Sequence, residues 1–327
     1  MTALAPPPDL GASDPLPSTA GGAQVDRAFR VVASAAGLLV LAILALIAYT
    51  TTSKAWPAFT HQGPSFVTGR NWNPNLNHFG ALDFIFGTLL TAVLALVLAI
   101  PASLGIALFI TELAPKGWRT AVTYVVDLLA AIPSVVYGFW GIVVLKSPAA
   151  HVYTNIAKSL GRVPVLSLLF GGPAQGASFM TAGVILAVMI TPIITSLSRD
   201  ALMTVSQDDK NGAIAMGATR WEMLRVAVFP RVRSGLVGAA MLGLGRAMGE
   251  TIAVALVIGS SHKITSHLFR SGDTMASVIV HNYPEATGLQ HAALIGLGVV
   301  LFAITIVINM IARSVSNRSM AMAGTGR

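Results

Sequence analysis

Apolar residues along this chain come in long, nearly uncharged runs parted by short polar clusters, and six of the runs are long enough to cross a bilayer. They lie near 28–50, 82–110, 120–145, 178–198, 234–260 and 290–312. No charge falls within 31–53, 84–111 or 286–312, while Asp127 interrupts the third run. Lipid offers no partners to backbone N–H and C=O groups, so each run predicts a helix. The pattern predicts an all-α integral membrane protein with six transmembrane helices.

Composition agrees. Of 327 residues, 54% are hydrophobic and 10% charged, against about 25% charged in a soluble domain. Cysteine is absent, which excludes disulfides, thiolate metal sites and thiol catalysis. A net charge of +8 could serve nucleic acid, but the basic residues flank the spans, so no nucleic-acid role is expected. Residues 1–24 are rich in Pro, Ala, Gly and Ser without apolar periodicity, which predicts a disordered tail. No positive charge precedes Arg27, and the apolar run after it is too long for a signal peptide, so it reads as an uncleaved first span.

The chain then divides into a tail (1–24), a first span with an external loop (25–79), a core (80–313) and a second tail (314–327). With the N-terminus inside, inner segments hold 13 of the 21 Lys and Arg, outer segments hold 7, and Arg246 is the remaining one. That bias places both termini in the cytoplasm. All seven histidines then lie outside, without ligand spacing for a metal, and no metal site is expected. The outer loops at 51–80, 146–177 and 261–289 either connect spans or form a docking surface for an external partner.

Two charges stand out. Arg246 and Glu250 sit within the otherwise uncharged stretch 234–262. At about 1.5 Å per residue Arg246 lies roughly 16 Å into the span, near the bilayer centre. A charge there costs about 2.5–3.5 kcal/mol on insertion scales, so its presence points to a use. On a helix the i, i+4 spacing sets both groups on one face. A structural ion pair between helices is the plainer alternative, although Arg before Glu is the weaker order for stabilising a helix. Gly245 and Gly249 in the same span permit either close helix packing or a backbone-lined path. Asp83, Glu112 and Asp127 lie nearer span ends, where interfacial solvation accounts for them.

The polar segment between spans four and five carries its own signals. Ser206 fits a helix cap, with Asp208 and Asp209 at the positive helix end. That helix would run to Met216, and Gly217 would supply a left-handed end. Thr219 and Glu222 make a capping box for a second helix running to about Phe229, where Pro230 intervenes. Three readings compete: a DNA-reading helix-turn-helix, a plain amphipathic connector, and a transmission element docked in a groove of a cytoplasmic partner. The last needs a protruding apolar anchor, which Ala215, Met216 and Trp221 can supply.

This segment resembles the cytoplasmic motif of binding-protein-dependent ABC importer permeases, which reads Glu-Ala-Ala, three residues, Gly, nine residues, Ile-x-Leu-Pro. Here Asn211-Gly212-Ala213, Gly217 and Ala227-Val228-Phe229-Pro230 keep the spacing, the Gly and the Pro, while Asn211 replaces the Glu and Gly212 the first Ala. The segments 241–251, 129–138 and 87–91 are similar to those of phosphate-specific (Pst-type) permeases, and the N-terminal span and long external loop resemble the C subunit more than its paralogue, the A subunit. The resemblance spans roughly 80–313. It implies the type I ABC importer permease fold and a transmembrane path for inorganic phosphate in the inner membrane of a prokaryote. It implies as partners a homologous permease forming a hetero-pair, two cytoplasmic ATPase subunits and an external phosphate-binding protein, within membrane lipid. The ATPase contact falls on Asn211, Gly212, Ala213, Ala215, Met216, Gly217, Thr219, Trp221 and Pro230.

For the path, the implied residues are Arg246, Glu250, Gly245, Gly249, Thr251 and Ser134. Arg stays charged and offers a planar fork matching two phosphate oxygens. Glu250 would neutralise Arg246 when phosphate is absent, or accept a hydrogen bond from a protonated phosphate oxygen. A permease for another oxyanion or small solute is the alternative. No Gly-x-x-x-x-Gly-Lys-[Ser/Thr] occurs, so ATP hydrolysis is expected on a separate chain and this chain is expected to be neither an enzyme nor a cofactor carrier.

Overall fold

The first apolar run satisfies its backbone within itself as helix α1, Ala20–Gln62. The computed structural model describes residues 20–324. Of the tail expected over 1–24, residues 1–19 lie outside the described residues, and helix begins at Ala20. Up to Thr50 the chain forms one unit, in which Val31, Leu38, Leu41 and Leu46 are all exposed. A helix apolar on every side suits lipid.

From Thr51 the chain forms a second unit. The end of α1 leads to α2, Ser65–Thr68, and a two-stranded hairpin of β1, Trp72–Asn73, and β2, His78–Phe79. Asn77 closes the hairpin turn at φ +53°, a left-handed conformation that Asn tolerates. Trp72 packs edge-on against Phe79 and Phe84 with ring centres 5.0 and 5.3 Å apart.

The helical body follows. Helix α3, Leu82–Leu108, ends in a π turn at Phe109–Leu113. Next come α4, Lys116–Ala131, and α5, Ser134–Trp140, whose π turn Gly141–Leu145 leads into α6, Lys146–Leu160. Helix α7, Pro164–Phe170, precedes α8, Phe179–Met203. Then α9, Gln207–Ala215, and α10, Arg220–Met223, lead through a third π turn, Leu224–Val228, into α11, Phe229–Gly249. Helices α12, Ile252–Val257, α13, Met275–Asn282, and α14, Gly288–Gly324, complete the fold.

The core is built on α3 against α8. Ala92, Ala95 and Ala99 on α3 form a small-residue stripe that admits Ala182, Ile185, Leu186, Met189 and Ile190 of α8. Small residues let two helices approach closely, the main source of packing energy in a membrane. The Ser103 hydroxyl donates to the Thr191 carbonyl at 3.1 Å, close to where Pro101 and Pro192 interrupt the two ladders.

Among the described residues six segments are long and apolar enough to span a membrane, and the fold corrects four expectations. The third is Ser134–Leu160, well beyond the expected 120–145. The stretch before it is an amphipathic helix, α4, which Ile132-Pro133 cuts off from α5. Proline forces Ile132 into an extended conformation, φ −65° and ψ 128°, and so ends the helix. The fifth run is broken, with α11 stopping at Gly249 and α12 starting at Ile252. Pro230 does not end a helix as expected: the π turn Leu224–Val228 shifts the bonding register ahead of it, and α11 carries on. Asp83 and Glu112 are not solvated either. Asp83 is 8% exposed in the first turn of α3, and Glu112 is engaged by Lys210.

Candidate functional site

Two helix breaks lie side by side in this fold. At the first, Pro133 has no N–H to offer the Leu129 carbonyl. That carbonyl accepts instead from the Ile132 N–H at 3.4 Å and from the Tyr137 hydroxyl at 2.8 Å. At the second, Glu250 is extended (φ −70°, ψ 129°) and Thr251 leads into α12. The Glu250 carboxylate accepts from the Ala253 N–H at 3.3 Å, and the Thr251 hydroxyl donates to the Gly249 carbonyl at 3.1 Å. The short helices beyond the breaks touch backbone to backbone, since a Cβ on Gly138 would stand 2.6 Å from Ala253 Cα.

Arg246 sits in the last turn of α11, where the helix dipole favours a cation. It is exposed, and it makes no ion pair or hydrogen bond among the described residues. Tyr137 is within electrostatic reach of it. The expected sharing of one helical face by Arg246 and Glu250 is therefore not found. The helix ends between them, and the carboxylate caps α12 instead.

Arg246 and Gly245 line a cleft of about 820 Å³. Ser234, Gly238 and Leu242 of α11 share it, with Asn309 and Arg313 of α14. Open space surrounds Gly238, Gly245 and Gly249, where an added Cβ would meet nothing within 4 Å. These glycines therefore do not serve packing inside this chain. Gly249, Glu250 and Thr251 lie at the break beyond the cleft lining, and half-buried Ser134 lies at the neighbouring break, so the expected path residues fall into two groups. Asn309 and Arg313 were missed. Their i, i+4 spacing in the last apolar run was the available signal, but Arg313 reads simply as an inner flanking charge.

The polar segment folds as its caps direct. The Ser206 hydroxyl accepts from the Asp209 N–H at 3.3 Å, Gly217 turns at φ +90°, and Thr219 with Glu222 completes a capping box. Around this turn Met216 is 89% and Trp221 62% exposed, with Ile214 and Val226 also open. Asn211, Gly212, Ala215 and Pro230 are exposed too, while Ala213 packs under the turn beside Met223 and Val228. An exposed apolar knob on a capped turn has the form of a groove-docking element.

Opposite this end, in the loop before α13, Asp273 is 2% exposed. Burial pushes its carboxyl above the usual carboxylate range, against the pull of His262 at 3.5 Å and hydroxyls of Ser277 and Ser260.

Comparison with known proteins bears on this geometry. Residues 103–320 match the family described as binding-protein-dependent transport system inner membrane component. The phosphate transport system permease protein PstC of Mesorhizobium japonicum is 41% identical over 304 residues, covering 92% of this chain and 93% of that protein. PstC of Haemophilus influenzae is 40% identical over 290 residues, with 88% and 92% covered. PstC 2 of Mycobacterium tuberculosis is 37% identical over 314 residues, with 94% and 96% covered. Among solved structures, a chain of a bacterial alginate ABC transporter in complex with an alginate-loaded periplasmic protein superposes with a TM-score of 0.62 at 18% identity, covering 91% of this chain and 97% of its own. That likeness concerns the fold alone.

Proposed function

This chain belongs to the family of binding-protein-dependent transport system inner membrane components, and from that premise we propose that it forms the transmembrane path for inorganic phosphate in an ATP-driven importer. It is a multi-pass membrane protein and a transport component. The observation that carries the substrate reading is Arg246, a cation with no ion-pair partner among the described residues, lining a cleft.

Inorganic phosphate near neutral pH carries one to two negative charges, and the hydrocarbon repels it. The Arg246 fork can take two phosphate oxygens at once, and the anion then supplies the charge that Arg246 lacks. Open space at Gly238 and Gly245 leaves room beside the guanidinium. Asn309 and Arg313 extend the polar lining along the cleft towards the far end of α11, with a donor amide and a second cation. Glu250 caps α12 through one carboxylate oxygen, and its other oxygen would accept a hydrogen bond from a protonated phosphate oxygen that reaches the break. Thr251 and Ser134 shape the two adjoining breaks.

A paired homologous permease, two cytoplasmic ATPases and an external phosphate-binding protein complete the proposed machine. Both termini lie in the cytoplasm in this reading, supported by the Lys and Arg bias. ATP binding would draw the ATPases together, and the knob formed by Met216 and Trp221 would pass that motion to α11. Hydrolysis and product release would return the path to the inward-open state.

The test is uptake by the complex reconstituted in proteoliposomes, with labelled phosphate and with sulfate and molybdate as competitors. ATP-dependent phosphate entry that neither competitor reduces supports the reading. Entry of sulfate or molybdate in place of phosphate overturns it and favours another oxyanion.

A further inference from the structure

We propose that Lys210 and Glu112 form a positioning pair that ties the ATPase-facing helix α9 to the inner end of the second span, so that α9 moves the path as one piece. This rests on the importer reading above. The first five residues of α9, Gln207–Asn211, are all polar, and the one buried residue of the helix is its lysine, 5% exposed. The Lys210 ammonium lies 2.6 Å from a Glu112 carboxylate oxygen, and Glu112 is itself only 14% exposed. Glu112 stands in the π turn Phe109–Leu113 that ends α3. π turns recur where a helix must yield.

The neighbouring residue holds the other side. Asp209 pairs with Arg231 in the first turn of α11. Two adjacent residues of opposite charge thus fasten α9 to two different spans, one through each charge. Apolar contact adds little: Ala213 is the residue of α9 that joins the cluster of Ala107, Leu202, Val205, Met223, Val228 and Val232. The buried tie between α9 and the second span is therefore ionic.

A buried ion pair is a poor stabiliser for its cost, because both ions lose water, and apolar residues of similar size often replace it without loss. Its distinctive property is direction: it fixes which groups meet and in what register. That suits a lever better than a foundation. The family motif places an acidic residue where this chain has Asn211, and here a cation one position earlier reaches down to an acid on the second span.

The test uses the assembled complex in proteoliposomes and reads phosphate imported per ATP hydrolysed, together with stimulation of ATP hydrolysis by phosphate-loaded binding protein. Glu112→Gln should lower the import ratio about tenfold or more, with the ATPase still bound. Because that variant leaves a buried lysine unpaired and could misfold, two further variants decide. The charge swap Lys210→Glu with Glu112→Lys should recover at least part of the ratio. The apolar pair Lys210→Met with Glu112→Leu should melt like the parent yet remain uncoupled. An apolar pair that couples like the parent, or a swap no better than Glu112→Gln, would overturn the proposal. The stimulation measurement reads the latch separately from anion choice, so a wrong substrate would show in the parent protein first.

Discussion

Arg246 illustrates how far one residue can be argued. Among the described residues no carboxylate forms an ion pair with it, and Glu250, the nearest in sequence, is turned to an N–H of the next helix. Arg246→Lys keeps the charge but loses the fork, and should raise the KM for phosphate about tenfold, the worth of roughly 1.4 kcal/mol. Arg313→Gln should weaken uptake less, since Arg313 stands at the other end of the cleft lining; matched uptake curves would separate the two. Tyr137→Phe removes the shorter of two hydrogen bonds to the Leu129 carbonyl and should cost about 0.5–1.5 kcal/mol of stability, read as a lowered melting temperature in detergent. Asp273 gives a pH signature. Burial raises its pKa, so the folded state holds its proton more tightly than the unfolded chain does. The stability it contributes is full below about pH 4 and is lost as pH rises through the raised value. Melting temperature should therefore fall over that window, and Asp273→Asn should flatten the fall. At this scale Arg246 was legible because an uncharged neighbourhood exposes any charge. Lys210 and Glu112, 98 positions apart, were not, since nothing local joins them.

At the scale of elements, the breaks matter more than the helices. Ile132-Pro133 was visible as a proline, yet its consequence, an amphipathic α4 ahead of a later span, was hidden because Trp118, Tyr124, Val125 and Leu128 keep the run apolar. The break at Glu250 and Thr251 has no proline to announce it, and the apolar pattern runs straight across. Pro230 misled in the other direction, because a π turn absorbed it. The caps at Ser206 and Thr219 and the turn at Gly217 were fully legible, because cap chemistry is local. The two breaks depend on each other through Gly138. Gly138→Val would drive a side chain into the Ala253 backbone, 2.6 Å from the new Cβ to Cα alone. It should cost about 1–3 kcal/mol and lower uptake, measurable by melting and by transport in the same preparation.

At the scale of the whole molecule, six apolar segments and the family match make the chain a membrane transport component. The number of spans was legible because bilayer thickness fixes the length of each. What the chain offers to others follows from its exposed features. Met216 and Trp221 stand out from the turn at Gly217 without cover among the described residues. Met216→Glu with Trp221→Ala should release the ATPase, read as its loss on co-purification, while the melting temperature of the permease stays put. The central claim is that Arg246 meets phosphate in transit. Labelled phosphate uptake by proteoliposomes holding the Arg246→Gln complex tests it most directly. Uptake should fall to background while the ATPase remains bound and the complex intact. Uptake at the parent rate in that variant would contradict the account.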